Sequence, residues 1–107
     1  MNRALGMIGL AARARKIVSG EEMTVKAVRN GTAAVALLDA EAGPNTKKSV
    51  SDSCRFYAVP LVELPAGELG SAIGRSGRMA CAVLDQGMAK RIIELTKTDE
   101  SAGVKPK

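Results

Sequence analysis

Apolar positions along this chain follow two rhythms, one helical and one continuous. Between Ala4 and Ala14, Leu5, Ile8 and Ala12 recur at helical spacing and predict a first helix. Gly6 and Gly9 lower its propensity but permit a close backbone approach. Ile17 and Val18 form an apolar pair that fits a minimal strand. Ser19 with Glu22 three residues later is the pattern of a capping box. It predicts a second helix from Ser19 to about Asn30, ended by Gly31 as the left-handed residue. Ala33 to Leu38 is an unbroken apolar run, as expected of a strand covered on both faces.

Beyond Leu38, Asp39 to Asn45 reads as a loop containing Gly43-Pro44, and Pro44 or Asn45 opens a third helix that reaches about Tyr57. Val59 to Leu64 is a strand interrupted by Pro60, which suits an edge or a strand's first residues. A short helix from Glu68 to Ile73 lies between Gly67 and Gly74, and Met79 to Leu84 is a further apolar strand. Asp85 caps a last helix to about Lys97, with Met88, Ile92 and Leu95 on one face. Residues 98–107 are polar, contain a proline and show no period, so a disordered tail is expected. Strands alternating with helices, the strands buried on both faces, predict an α/β fold with helices on either side of a central sheet, a three-layer α/β/α sandwich. A single domain is expected over residues 1–97.

Composition narrows the chemistry. The chain has 107 residues and no histidine, which removes histidine general bases, histidine-containing zinc sites and Ser–His or Cys–His nucleophilic pairs. Cys54 and Cys81 follow no CxxC spacing and sit among apolar residues, as buried reduced thiols do. Phe56 and Tyr57 are the only aromatics, so the core must be built of small aliphatics, and a broad aromatic platform for single-stranded RNA is not available. Gly70 to Gly74 has the flavour of a phosphate loop. It has three residues between its glycines where four are required, and Arg75 where a lysine is required. No signal peptide is evident at the start, and no apolar run approaches the ~20 residues of a membrane span. No cofactor, no metal and no enzymatic activity are expected, and the expected location is the cytoplasm.

Sixteen basic residues against eleven acidic ones leave a net charge of +5, a mild pointer to an anionic partner. Their placement says more. Met1 to Gly31 carries Arg3, Arg13, Arg15, Lys16, Lys26 and Arg29 against only Glu21 and Glu22. Lys26 and Arg29 share a helix face. Arg75 and Arg78 flank Ser76-Gly77 in a glycine-bounded loop. Lys47 and Lys48 occupy a helix's first turn, where the macrodipole disfavours cations, and form a candidate secondary basic patch. Taken singly, each group has the ordinary reading of a solvated surface. Convergence on one face would change that.

The stretch Arg13 to Glu22 (RARKIVSGEE), then Val25 to Val28 (VKAV), Asn45 to Lys48 (NTKK), Leu69 to Gly74 (LGSAIG) and the apolar strand from Met79 together resemble the ribosomal L7Ae/L30e superfamily, most closely its small bacterial YlxQ-type branch. The resemblance covers about Arg3 to Lys97. It implies a sandwich with a mixed four-stranded sheet and binding of kink-turn RNA, in which tandem sheared G·A pairs adjoin a sharply bent bulge. It also implies an RNA surface made of the second helix's start (Gly20, Glu21, Glu22 and Met23), the helix-face Lys26, and the loop Arg75, Ser76, Gly77, Arg78 and Met79.

Kink-turn binders typically carry Asn-Glu where this chain has Glu22-Met23. An asparagine donates and accepts at a base edge, whereas an ionised glutamate only accepts. Arg15, Lys16, Ser19 and Arg29 complete the candidate set. The expectation is a monomeric, structured-RNA-binding, ribosomal or ribosome-associated protein. The alternative is a protein-interaction module that docks on translation factors with the same fold.

Overall fold

The computed structural model describes residues 2–103, with side-chain surroundings for residues 3–97. The elements in chain order are α1 (Asn2–Arg13), β1 (Ile17–Ser19), α2 (Glu21–Arg29), β2 (Val35–Asp39), α3 (Pro44–Tyr57), β3 (Leu61–Leu64), α4 (Glu68–Ile73), β4 (Ala80–Val83) and α5 (Gln86–Gly103). The strands form one mixed sheet in the order β1-β4-β2-β3. β4 runs antiparallel to both neighbours, and β2 and β3 are parallel. The architecture is the expected sandwich with a mixed four-stranded sheet.

Side-chain alternation along the two central strands separates two cores. Val35 and Leu37 of β2 and Cys81 and Val83 of β4 face a layer that includes Ile8, Leu69 and Ile92 from α1, α4 and α5. Ala36 and Leu38 of β2 and Ala80 and Ala82 of β4 face Val28 of α2 and Val50 and Cys54 of α3. Three alanines on that second face let α2 and α3 lie close to the sheet, which is how an aliphatic core is closed without a buried ring. Both cysteines are buried and free, and burial pushes the Cys81 thiol up to about 12.

Three expectations need correction. The Ser19–Glu22 capping box does not form: the N-cap of α2 is Gly20, no side chain caps the helix, and Ser19 belongs to β1, paired with Cys81. Pairing with β4 keeps Ser19 in the strand, so the helix starts one residue later and the N-cap position passes to Gly20. Asp39, expected in a loop, ends β2 with its carboxylate buried. That carboxylate accepts from the N–H groups of Glu41 (2.8 Å) and Gly67 (2.9 Å), tying the two following loops together. Lys47 and Lys48, the candidate secondary basic patch, both have carboxylate neighbours at the surface. Lys47 pairs with Glu63 at 3.3 Å and Lys48 with Asp52 at 2.9 Å, and the Lys48 hydrogen bond holds the Asp52 carboxyl below its ordinary range. Finally, α5 continues to Gly103, so residues 98–103 are helical where a disordered tail was expected. No glycine or proline interrupts Thr98 to Ala102, and extending a helix already anchored by Ile92 and Leu95 needs no new nucleation. Residues 104–107 of that tail lie outside the described residues.

Candidate nucleic-acid interface

Three chain segments meet where β1 ends. β1 and β4 are antiparallel, so the last residue of β1 lies beside the first turn of backbone entering β4. The junction is closed by Gly20, whose N–H donates to the Ala80 carbonyl at 2.8 Å. Gly20 has φ 99° and ψ 151°, a combination open essentially to glycine alone. A Cβ built there would stand 3.1 Å from Nη1 of Arg78, so the guanidinium lies directly over the bare backbone of the β1–α2 turn. The glycine therefore supplies both the turn and the space.

Arg15 reaches the same place from the end of α1. The Lys16 N–H donates to the Ala11 carbonyl (2.9 Å) and the Arg15 N–H to the Ala12 carbonyl (3.0 Å), the two bonds of a Schellman ending. Its left-handed position, normally glycine's, is held by Arg15 at φ 61°. For a residue with a side chain that conformation costs roughly 1 kcal/mol or more. The helix end thus keeps an arginine where stability alone would select a glycine.

Arg75 and Arg78 arrive on the loop between α4 and β4. Gly70 of α4 seats that loop: it accepts from the Arg75 N–H at 2.9 Å, and a Cβ on it would come within 2.8 Å of the Arg75 carbonyl oxygen. Gly74 and Gly77 turn the loop at φ 77° and 83°. A groove of about 600 Å³ results, with Arg15, Arg75 and Arg78 around it and Ile17, Val18, Met23 and Ile73 among its lining. None of the three arginines makes an ion pair with another described residue. Three unneutralised guanidinium groups repel one another, an arrangement relieved by an anion.

The remaining candidates fall on neighbouring surfaces. Ser76, Gly77 and Met79 line a second depression with Asp39, Gly70 and Gly74, and Arg78 borders both. Ser19 and Met23 line the arginine groove. Glu21, Glu22, Lys26 and Arg29 line a different groove, between α2 and α3. Lys16 is exposed, and its carbonyl accepts from the Leu84 N–H at 2.7 Å. Glu21 accepts from the Thr46 hydroxyl at 2.8 Å, while Glu22 has no partner among the described residues and is free to accept. Sequence reasoning missed the apolar part of the arginine groove. Ile17 and Val18 read as strand, Ile73 as the end of a short helix, and no pattern in the chain marks their exposed edges.

A family model described as the ribosomal protein L7Ae/L30e/S12e/Gadd45 family matches residues 2–93. An RNA-binding protein YlxQ from Bacillus subtilis (strain 168) is 44% identical over 90 residues, covering 83% of this chain and 90% of the relative. A protein of the same name from Enterococcus faecium is 39% identical over 94 residues, covering 87% and 90%. Among solved structures, a protein of unknown function from Bacillus halodurans C superposes with a TM-score of 0.84 at 39% identity, covering 88% of this chain and 96% of that one. A 15.5kD RNA binding protein from Giardia lamblia gives a TM-score of 0.71 at 20% identity, covering 88% and 84%, a likeness of fold alone.

Proposed function

The chain belongs to the ribosomal protein L7Ae/L30e/S12e/Gadd45 family, and on that premise we propose that it binds structured RNA, of the kink-turn type, as a non-catalytic ribosomal or ribosome-associated protein. The observation that carries the reading is the convergence of Arg15, Arg75 and Arg78, without ion-pair partners among the described residues, on one groove beside the start of α2. The relatives' name, RNA-binding protein, supports it.

The division of labour follows from charge. Glu21 and Glu22 in the first turn of α2 repel phosphate, so the helix start suits a base edge rather than the backbone. Glu22 accepts from a donor such as the N–H groups of guanine, and the uncapped helix N–H groups donate to base acceptors. The three guanidiniums hold phosphates on either side, and Met23 offers an apolar contact rather than a hydrogen bond.

The test is a titration of a kink-turn RNA and an unbent duplex of equal length at two salt concentrations. The kink-turn should bind more tightly, with log K falling against log salt at a slope of about −3 for three phosphate contacts. Equal, weak binding to both RNAs sinks kink-turn recognition. A flat salt dependence sinks the phosphate-contact scheme.

Arg15 provides an independent check, because stability and binding pull it in opposite directions. Arg15→Gly should raise the unfolding free energy by about 1 kcal/mol, since glycine takes the left-handed position without strain. It should also weaken RNA binding by about fivefold or more and lower the salt slope by about one. Denaturant unfolding and the same titration read the two effects separately. A variant both less stable and equally tight would show that Arg15 serves the fold.

A further inference from the structure

The α2–α3 groove ends at Tyr57, which with Phe56 makes up the chain's two aromatic side chains, and neither is in the core. Phe56 is 81% exposed and Tyr57 43% exposed, and their rings meet edge to face with centroids 4.8 Å apart. Tyr57 lines the groove, whose volume is about 760 Å³, together with Lys26, Arg29 and Asn30. α2 and α3 run in the same sense there. Glu21 is bonded to Thr46 at one end, and Arg29 and Tyr57 share the lining at the other. The groove therefore starts at acidic residues, passes Lys26, and finishes, about 12 Å along α2, at Arg29 and the Tyr57 ring.

We infer that this end of the groove receives a single-stranded nucleotide of the same RNA, its base stacked on Tyr57 with the exposed Phe56 buttressing that ring edge to face, and its flanking phosphates held by Lys26 and Arg29. The inference rests on the RNA-binding reading and extends it to a second contact. Two observations favour RNA as the occupant. Lys26 and Arg29 make no ion pair among the described residues, so the aromatic end carries uncompensated positive charge. The groove also begins one residue along the chain from the first site, Glu22 preceding Met23 of the arginine groove, and the charge of Glu21 and Glu22 keeps phosphates away from that start and favours the far end. Aromatic stacking with adjacent cations accepts any base, so this contact adds affinity for an unpaired extension without adding sequence preference. A fold that leaves a phenylalanine in water gains almost nothing from it, which makes Phe56 a sensitive probe of binding.

Tyr57 is the sole tyrosine and the chain has no tryptophan, so its emission reports this site alone. The experiment compares a kink-turn RNA carrying a six-nucleotide oligouridine extension with the same RNA trimmed flush. The wild-type protein should bind the extended RNA about tenfold more tightly, with Tyr57 emission quenched by the extended RNA only. Phe56→Ala combined with Tyr57→Leu should erase the tenfold difference and leave affinity for the trimmed RNA unchanged. Arg29→Ala, which keeps both rings, should reduce the difference while preserving the quench at saturation. Thermal unfolding confirms that each variant is folded. Tight binding of both RNAs with equal affinity overturns this inference alone and leaves the groove to a protein partner. Failure of both RNAs to bind overturns it together with the function it rests on.

Discussion

Arg75→Glu combined with Arg78→Glu should weaken binding of a structured RNA by at least about 100-fold near physiological salt and lower the salt slope by about two. Each substitution removes a charge-assisted contact and substitutes a repulsive one, in a groove where Arg15 is the remaining guanidinium. Stability should hardly change. Neither arginine pairs with a described carboxylate, so its removal strands no partner, and mutual repulsion among the three cations is relieved. The control is Lys47→Glu with Lys48→Glu, which alters net charge by the same amount on α3. That control should lower affinity by no more than about threefold. It should also cost a few tenths of a kcal/mol through the lost surface pairs with Glu63 and Asp52. If the two double variants weaken binding alike, only net charge matters and the groove is not the site.

Gly20→Ala should destabilise the protein by about 2 kcal/mol, on the order of 10 °C in Tm for a domain of this size. The backbone there has φ 99° and ψ 151°, and relaxing it would pull the Gly20 N–H from the Ala80 carbonyl. The new methyl group would also displace Arg78, so affinity should fall about tenfold under conditions where the variant is fully folded. Gly6→Ala is the contrast. Gly6 lies within α1 with open space around its Cβ direction, and alanine there should stabilise by about 0.5–1 kcal/mol without touching RNA affinity. Calorimetry on the two variants should give shifts of opposite sign. Two shifts in the same direction would contradict the assignment of Gly20 to a glycine-only conformation.

Much of the scaffold was legible because it depends on local rules. The run from Ala33 to Leu38 announces a doubly covered strand, and β2 is buried at every position. Gly31 ends α2 with φ 83°, as a helix followed by glycine suggests. The α2 start was misread because two local signals competed. Ser19 and Glu22 have the spacing of a capping box, but β4 captures Ser19 as a strand residue and the turn passes to Gly20. The cost of placing Lys47 and Lys48 at a helix start was visible in the chain. Its relief by Glu63, from a strand distant in sequence, was not.

By itself the sequence determined the layered α/β architecture, the aliphatic core, the buried thiols and the basic character of the first helix's end and the loop before β4. Those follow from periodicity, residue volume and charge, which are properties of neighbours along the chain. Only the tertiary structure decided which cations lie together. Antiparallel pairing of β1 with β4 brings Arg78 over Gly20, and a left-handed helix end swings Arg15 into the same groove. Lys26 and Arg29, close to the site in sequence, are turned by the helical twist toward α3 and the exposed Tyr57. Electrostatic attraction depends on distance through space, and sheet register and helix rotation set that distance.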